Sequence, residues 1–148
     1  MKEHIAEFWR QGRYAVVGVS RSGKGFGCLA YRTLKSRGYE VYPVNGDADV
    51  VLRDKCYRTL ADLPQRPNSV LVVVPAPASE QVVQDCGRLG IRLVWLQQGA
   101  ESPEGIRLGE RLGLALIHHA CALMFLPGTS LPHACHRLVV EVLGKAPR

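Results

Sequence analysis

The sequence predicts an α/β chain: a Rossmann-like, doubly wound, mainly parallel sheet of five or six strands between two layers of helices. Three observations predict it. Short apolar runs rich in β-branched residues recur along the chain, helical patterns separate them, and the connections are short. Strand and helix in alternation build right-handed crossover units, which a largely parallel sheet accommodates. At 148 residues the chain is expected to be one domain, 1–148, long enough to bury a core.

Residues 3 to 11 are expected to form a leading helix that covers a sheet edge. Tyr14 to Val19 (YAVVGV) is apolar throughout, as in a strand covered on both faces. Phe26 to Arg37 places Cys28, Leu29, Tyr31, Arg32 and Leu34 at helical spacing, with Gly38 to close it. Tyr39 to Val44 (YEVYPV) reads as the second strand, its proline suited to the strand's end. Thr59 to Pro64 resembles a short capped turn of helix. Ser69 to Val74 (SVLVVV) is the clearest strand. Ser79 is positioned to cap a helix running to about Leu89. Ile91 to Leu96 is the fourth strand. Pro103 to Leu112 is a helix with Ser102 at its N-cap and Pro103 at its first position. Leu114 to Ile117 is a fifth, short strand, and Pro132 to Leu143 is the expected last helix.

Composition narrows the class. Hydrophobic residues at 47% and charged residues at 22% are ordinary for a globular protein. The net charge of +6 suits an anionic ligand, although it also serves plain solubility. No basic stripe interleaved with aromatics is present, so no nucleic-acid partner is expected. No apolar run approaches the roughly 20 residues that span a bilayer, and no secretory leader is evident. The five cysteines form no C-x-x-C pair and read as reduced thiols. A cytoplasmic protein without membrane or metal is therefore expected. His118 and His119 lie beside Cys121, but adjacent side chains on a strand point to opposite faces, which argues against a shared metal.

In doubly wound sheets a ligand lies beyond the carboxyl ends of the strands. Five stretches follow the strands: SRSGKGFG, PVNG, PAPAS, QQGAES and HHACALMF. In the first, Gly18 permits a tight turn. Backbone N–H groups of Ser20 to Gly23 and the start of the next helix suit a phosphate, with Ser20, Ser22, Arg21 and Lys24 adding hydroxyls and charge. A glycine-rich surface turn would look similar, but its place after the first strand favours phosphate. A nucleoside triphosphatase is excluded, because Gly25 stands where Ser or Thr must hold magnesium and SVLVVV ends in Pro75 rather than aspartate. An NAD(P) site would need G-x-G-x-x-G and an acidic residue ending the second strand. Val44-Asn45 stands there, with Asp47 just beyond. An NAD(P)-binding redox protein using Asp47 therefore stays as the alternative.

Taken together, AVVGVSRS, GYEVYPVN, CYRTLADLP, VPAP and VWLQQGA resemble, in order and spacing, the small stand-alone CoA-binding proteins related to the CoA-binding domain of the succinyl-CoA synthetase alpha subunit. The resemblance runs from about Phe8 to the last helix. It implies coenzyme A or an acyl-CoA as the ligand, and it implies places for it. Gly18, Val19, Ser20, Arg21 and Ser22, with Gly23, would take the diphosphate. Val44 and Asn45 would lie beside the adenosine, and Val74, Pro75 and Ala76 under the adenine. Leu96, Gln97 and Gln98 would meet the pantetheine arm, where Gly99 allows close approach and Cys121 packs nearby. Arg21 or Lys24 would neutralise the ribose 3′-phosphate. Many relatives carry proline where this chain has Gly46.

Chemistry is less evident. Cys121 with His118 or His119 is the one candidate reactive group, and packing explains a cysteine there as well. His133 and His136 share a face of the last helix, which exposure or core packing explains. With no complete catalytic constellation, the expectation is a non-enzymatic binding, sensing or carrier module. The apolar stretch from Ala120 to Leu126 suits either core or a face for self-association, so a homo-oligomer stays open.

Overall fold

In a computed structural model of the chain, residues 1–128 are described. Five parallel strands form one sheet: β1 (Arg13–Val17), β2 (Glu40–Val44), β5 (Ser69–Val72), β6 (Leu93–Leu96) and β7 (Ala115–Ile117), in the spatial order β2-β1-β5-β6-β7. The chain winds outward from β1 to β2, then crosses back to β5 and continues the other way. Right-handed crossovers therefore place the helices on opposite faces. Helices α1 (Lys2–Arg10) and α2 (Phe26–Ser36) share one face, and α3 (Ala76–Leu89) and α4 (Pro103–Arg111) cover the other. The predicted three-layer α/β fold is the observed one, with five strands. No helix among the described residues is long and apolar enough to cross a membrane.

Burial on both faces explains why the strands read as unbroken apolar runs. The row Val16, Leu71, Trp95, Ile117 faces α1 and α2, while Val17, Val72 and Leu96 face α3 and α4. The leading helix lies on this first face, packed against β6 and the edge strand β7. Its Phe8 ring sits 5.4 Å from Tyr14 on β1 and 5.3 Å from Trp95 on β6, and Trp9 lies 5.8 Å from Trp95. The small Ser69 on the strand between them makes room, and its hydroxyl donates to the Phe8 carbonyl. Trp95 is fully buried and donates from Nε1 to the Ala120 carbonyl at 2.9 Å. Truncating a buried tryptophan costs about 3–5 kcal/mol. The Trp95→Ala variant is therefore expected to melt about 10 °C or more below the parent, as followed by circular dichroism.

Several expectations need correction. Ser79 does not cap α3. The helix starts at Ala76 with Pro77 in its first turn, where proline's fixed φ suits the helix and its missing N–H forfeits no helical bond. Ser79 is instead fully buried in the helix, its hydroxyl lying 2.8 Å from the Ala76 carbonyl and 2.5 Å from that of Ala100. Ser102 does cap α4, accepting the Gly105 N–H at 2.9 Å. The 59–64 stretch is a single 3₁₀ turn, Leu60–Asp62, in which Thr59 bonds the Asp62 carboxylate rather than the backbone. Pro43 lies within β2, tolerated because β2 is an edge strand. A small hairpin escaped the sequence reading altogether: β3 (Val50–Val51) and β4 (Asp54–Lys55), turned by Leu52 and Arg53, both at positive φ. Such turns normally announce themselves by Asn-Gly, and this one carries neither. The expected helix from Pro132 to Leu143, with His133 and His136, lies outside the described residues.

A cleft at the switch point of the sheet

Where the strand order reverses, β1 and β5 run side by side and their following loops part to opposite faces. Two glycines set this opening. A Cβ on Gly18 would stand 2.3 Å from the Val73 carbonyl oxygen, and one on Gly27 would stand 2.1 Å from the Gly18 carbonyl oxygen. Loop, helix and neighbouring strand thus touch backbone to backbone, and any side chain would separate them. Above this contact lies a cleft of about 370 Å³, floored by Gly18, Val73 and Gly27 and walled by Ser20, Lys24, Gly25 and Phe26 on one side. Val74 and Pro75 form a second wall, and Gln98, Gly99 and Ala100 a third.

The loop between β1 and α2 is fastened largely to itself. Ser20 Oγ accepts the Ser22 N–H at 3.1 Å, the Ser20 carbonyl accepts that of Gly23 at 3.2 Å, and Ser22 Oγ accepts that of Lys24 at 3.2 Å. The amides of Ser22, Gly23 and Lys24 are therefore occupied. The start of α2 differs: Gly25 is its N-cap, no side chain caps it, and no acidic residue lies in its first turn. Its leading N–H groups, at Phe26, Gly27 and Cys28, have no partner within the helix, and Phe26 and Gly27 line the cleft. Cys28 Sγ donates back to the Ser20 carbonyl at 3.3 Å, tying helix to loop.

Electrostatics favour an anion. Lys24 is the single charged residue among those lining the cleft, and none of them is a carboxylate. The partial positive charge at the start of α2 adds to it. Amides at a helix start, a hydroxyl and one ammonium are groups whose chemistry suits a phosphate ester.

Asn45 fixes the other side of the loop. Its Nδ2 donates to the Val19 carbonyl at 2.9 Å, and its Oδ1 accepts the Asp47 N–H at 2.8 Å. The substitution Asn45→Asp would set a carboxylate against the Val19 carbonyl, so a donor is lost and two oxygens repel. A stability loss of about 1–3 kcal/mol is expected, read as a lower midpoint in urea denaturation. The third wall is braced likewise: Gln97, fully buried, accepts the Ala122 N–H on Oε1 at 3.0 Å, and Glu101 accepts the Gly99 N–H at 3.0 Å.

The sequence matches the family described as "CoA binding domain" over residues 12–127. The chain belongs to this CoA-binding domain family. Coenzyme A is the cofactor that this membership gives it. The domain is 33% identical over 93 residues to an ADP-forming acetate–CoA ligase II of Archaeoglobus fulgidus, a match spanning 62% of this chain and 14% of the ligase. It is thus far shorter than the curated relative. Among solved structures, a hypothetical protein from Pyrococcus horikoshii superposes with a TM-score of 0.78 at 27% identity, covering 84% of this chain and 89% of that one. A conserved hypothetical protein from Pyrococcus furiosus does so with a TM-score of 0.71 at 33% identity, over 76% and 97% of the two chains.

Of the residues singled out in the sequence of this CoA-binding domain, Gly18, Ser20, Lys24, Val74, Pro75, Gln98 and Gly99 meet in the cleft. Arg21 and Ser22 are exposed on the loop, and Gly23 is half-buried there. Val19, Val44 and Leu96 are buried in the core beneath, and Ala76 opens α3. Asn45 and Gln97 act as the braces just described. Cys121 is buried in the core cluster that holds Trp95, so its thiol does not open to the cleft. Gly25, Phe26, Gly27, Val73 and Ala100 line the cleft without having been singled out. The pair Gly25 and Gly27 at the head of a helix was the available signal.

The two histidines behave unlike the strand expectation. They lie past the end of β7, and His119 adopts a left-handed φ of 58°. This turn brings Nδ1 of His118 and Nδ1 of His119 to 2.6 Å, so the rings pair with each other rather than diverge. Burial and then the neighbouring His119 ring lower the His118 pKa. Burial raises the Cys86 thiol to about 12, which leaves it unreactive at neutral pH.

Proposed function

We propose that the cleft holds coenzyme A or an acyl-CoA without a metal ion, and that the chain serves as a binding, sensing or carrier module rather than a catalyst. One observation carries this reading: an uncapped helix N-terminus and a single lysine face a cleft whose lining contains no carboxylate. The diphosphate lies against the first amides of α2, with Ser20 and Lys24 beside it. The adenine rests on the apolar surface of Val74 and Pro75, and the pantetheine arm runs along Gln98, Gly99 and Ala100. Family membership supports the ligand, and the placement of these groups is our own inference. The alternative NAD(P) site finds less support, because Asn45 ends the second strand with its amide already spent on Val19. The relatives' ligase activity belongs to much longer chains and forms no part of this reading.

Isothermal titration calorimetry of the chain with coenzyme A, acetyl-CoA and NADP tests it. Coenzyme A is expected to bind with a Kd well below about 1 mM, more tightly than about −4.1 kcal/mol, and unchanged by EDTA. Tighter binding of NADP than of either CoA species would overturn the reading.

A further inference from the structure

The turn after β7 is tied to the wall of the cleft by two hydrogen bonds. The Ala120 carbonyl accepts the Nε1–H of buried Trp95 at 2.9 Å, and the Ala122 N–H donates to Oε1 of fully buried Gln97 at 3.0 Å. Gln97 leads directly into Gln98, Gly99 and Ala100, the third wall of the cleft. The path of residues 118–122 and the position of that wall are therefore coupled.

Two histidines hold that path. His119 has a left-handed φ of 58°, which few side chains adopt, histidine and asparagine among them. This bend sets the His119 ring edge to face on that of His118, with centroids 4.7 Å apart and Nδ1 to Nδ1 at 2.6 Å. One of the two nitrogens must donate and the other accept. The bond survives a first added proton, which leaves one Nδ1 free to accept. It cannot survive a second. Both Nδ1 atoms then carry hydrogen, neither accepts, and two imidazolium charges face each other.

The surroundings offer His118 a second arrangement. Among the described residues, the charged and titratable groups that bear on it are His119 itself, Glu101 on the loop after β6, and Glu110 on α4; both carboxylates favour its charged form. Glu101 accepts the Gly99 N–H on Oε1 at 3.0 Å, while its Oε2 is buried with no partner among the described residues. An imidazolium at position 118, parted from its neighbour, is drawn toward that carboxylate. The pull falls on the group that fixes Gly99.

Burial, and then the His119 ring, outweigh the two carboxylates and hold the His118 pKa below the ordinary imidazole value. The unfolded chain therefore binds this proton more readily than the folded one. Stability tied to the closed pair is complete above about pH 6.5 and is lost as pH falls below it.

We propose that the His118–His119 pair is a proton-operated latch on the third wall of the cleft, shut at neutral pH and opened in acid, so that the chain loses its hold on coenzyme A as pH falls. This rests on the CoA reading given above. Calorimetry with coenzyme A at pH 7.5 and at pH 5.5 tests it, on the parent chain, His119→Asn and His118→Gln, with His4→Gln on α1 as the control. Asparagine suits the left-handed φ and does not titrate. The parent and His4→Gln are expected to lose about tenfold or more in affinity over this span, about 1.4 kcal/mol. Protonation of the ligand's own phosphate weakens binding alike in every chain, so the latch is read from the difference. Each latch variant should lose about threefold or less. Thermal melts over the same span should show the parent's midpoint falling more steeply than those of the two variants. A pH profile shared by the parent and both variants would overturn the latch while leaving the CoA reading intact. Weaker binding by the variants at pH 7.5 with the parent's full relative loss in acid would mean that the histidines only shape the turn, and would also overturn it. Failure of the parent to bind coenzyme A at pH 7.5 would remove the CoA reading itself, and the latch with it.

Discussion

The Gly27→Ala variant is expected to lose coenzyme A binding and a substantial part of its stability. An alanine Cβ at this position would lie 2.1 Å from the Gly18 carbonyl oxygen and 2.8 Å from its carbon. Both are backbone atoms, so no side chain can swing aside. Gly18 cannot retreat either, because it presses on the Val73 carbonyl of the next strand. Relief must come from moving α2 away from the sheet. That motion opens the packing around Phe26 and Cys28, both buried, and carries the first-turn amides out of register with the ligand. Overpacking in a tight core costs about 1–3 kcal/mol and occasionally more, and this contact belongs at the upper end. A fall in thermal midpoint of about 10 °C and an absence of calorimetric heat with coenzyme A are the expected results. A variant that melts and binds like the parent would show that the helix does not need its close approach.

The Lys24→Glu variant isolates charge from shape. Lys24 is exposed and makes no side-chain contact that the fold requires among the described residues. Its removal should leave the unfolding midpoint nearly unchanged. In the cleft it is the sole charged lining residue, so on the proposed placement reversal replaces an attraction to the diphosphate by a repulsion. A loss of about 100-fold in affinity, roughly 2.7 kcal/mol, is expected by calorimetry. The difference between parent and variant should shrink as salt is raised, because an exposed charge is screened over about 8–10 Å at physiological ionic strength. A change of less than threefold would place the diphosphate elsewhere.

These two positions divide what was legible in the sequence from what was not. Lys24 stood out by residue type and by its place after the first strand. Gly27 did not, because it falls inside a stretch whose apolar spacing already reads as helix, which masks the Gly25–Gly27 pair at its head. The five wide-spaced strand ends pointed to the end of the sheet where the cleft opens. Seven of the residues drawn from them do meet in the cleft. Others, such as Leu96, Gln97 and Cys121, sit one residue along from the cleft wall or on the core side of it, where the chain's alternation turns them inward. The loop amides of Ser20 to Gly23 were expected to hold phosphate, but those of Ser22 and Gly23 are taken up by the Ser20 hydroxyl and carbonyl, as that of Lys24 is by the Ser22 hydroxyl. Such local closure depends on torsion angles that composition does not reveal.

The sequence by itself determined the layers, the parallel winding and the end of the sheet where the cleft opens. Those follow from which residues must leave water, and hydrophobic spacing reports this directly along the chain. Only the tertiary structure decided which residues face the cleft and that Lys24 is the cation among them. The approach of Gly27 to Gly18, and of Leu52 to Gly23, joins segments that the crossovers bring together. No one-dimensional pattern encodes a distance between them, because that distance is set by how helix, loop and hairpin pack on a shared sheet.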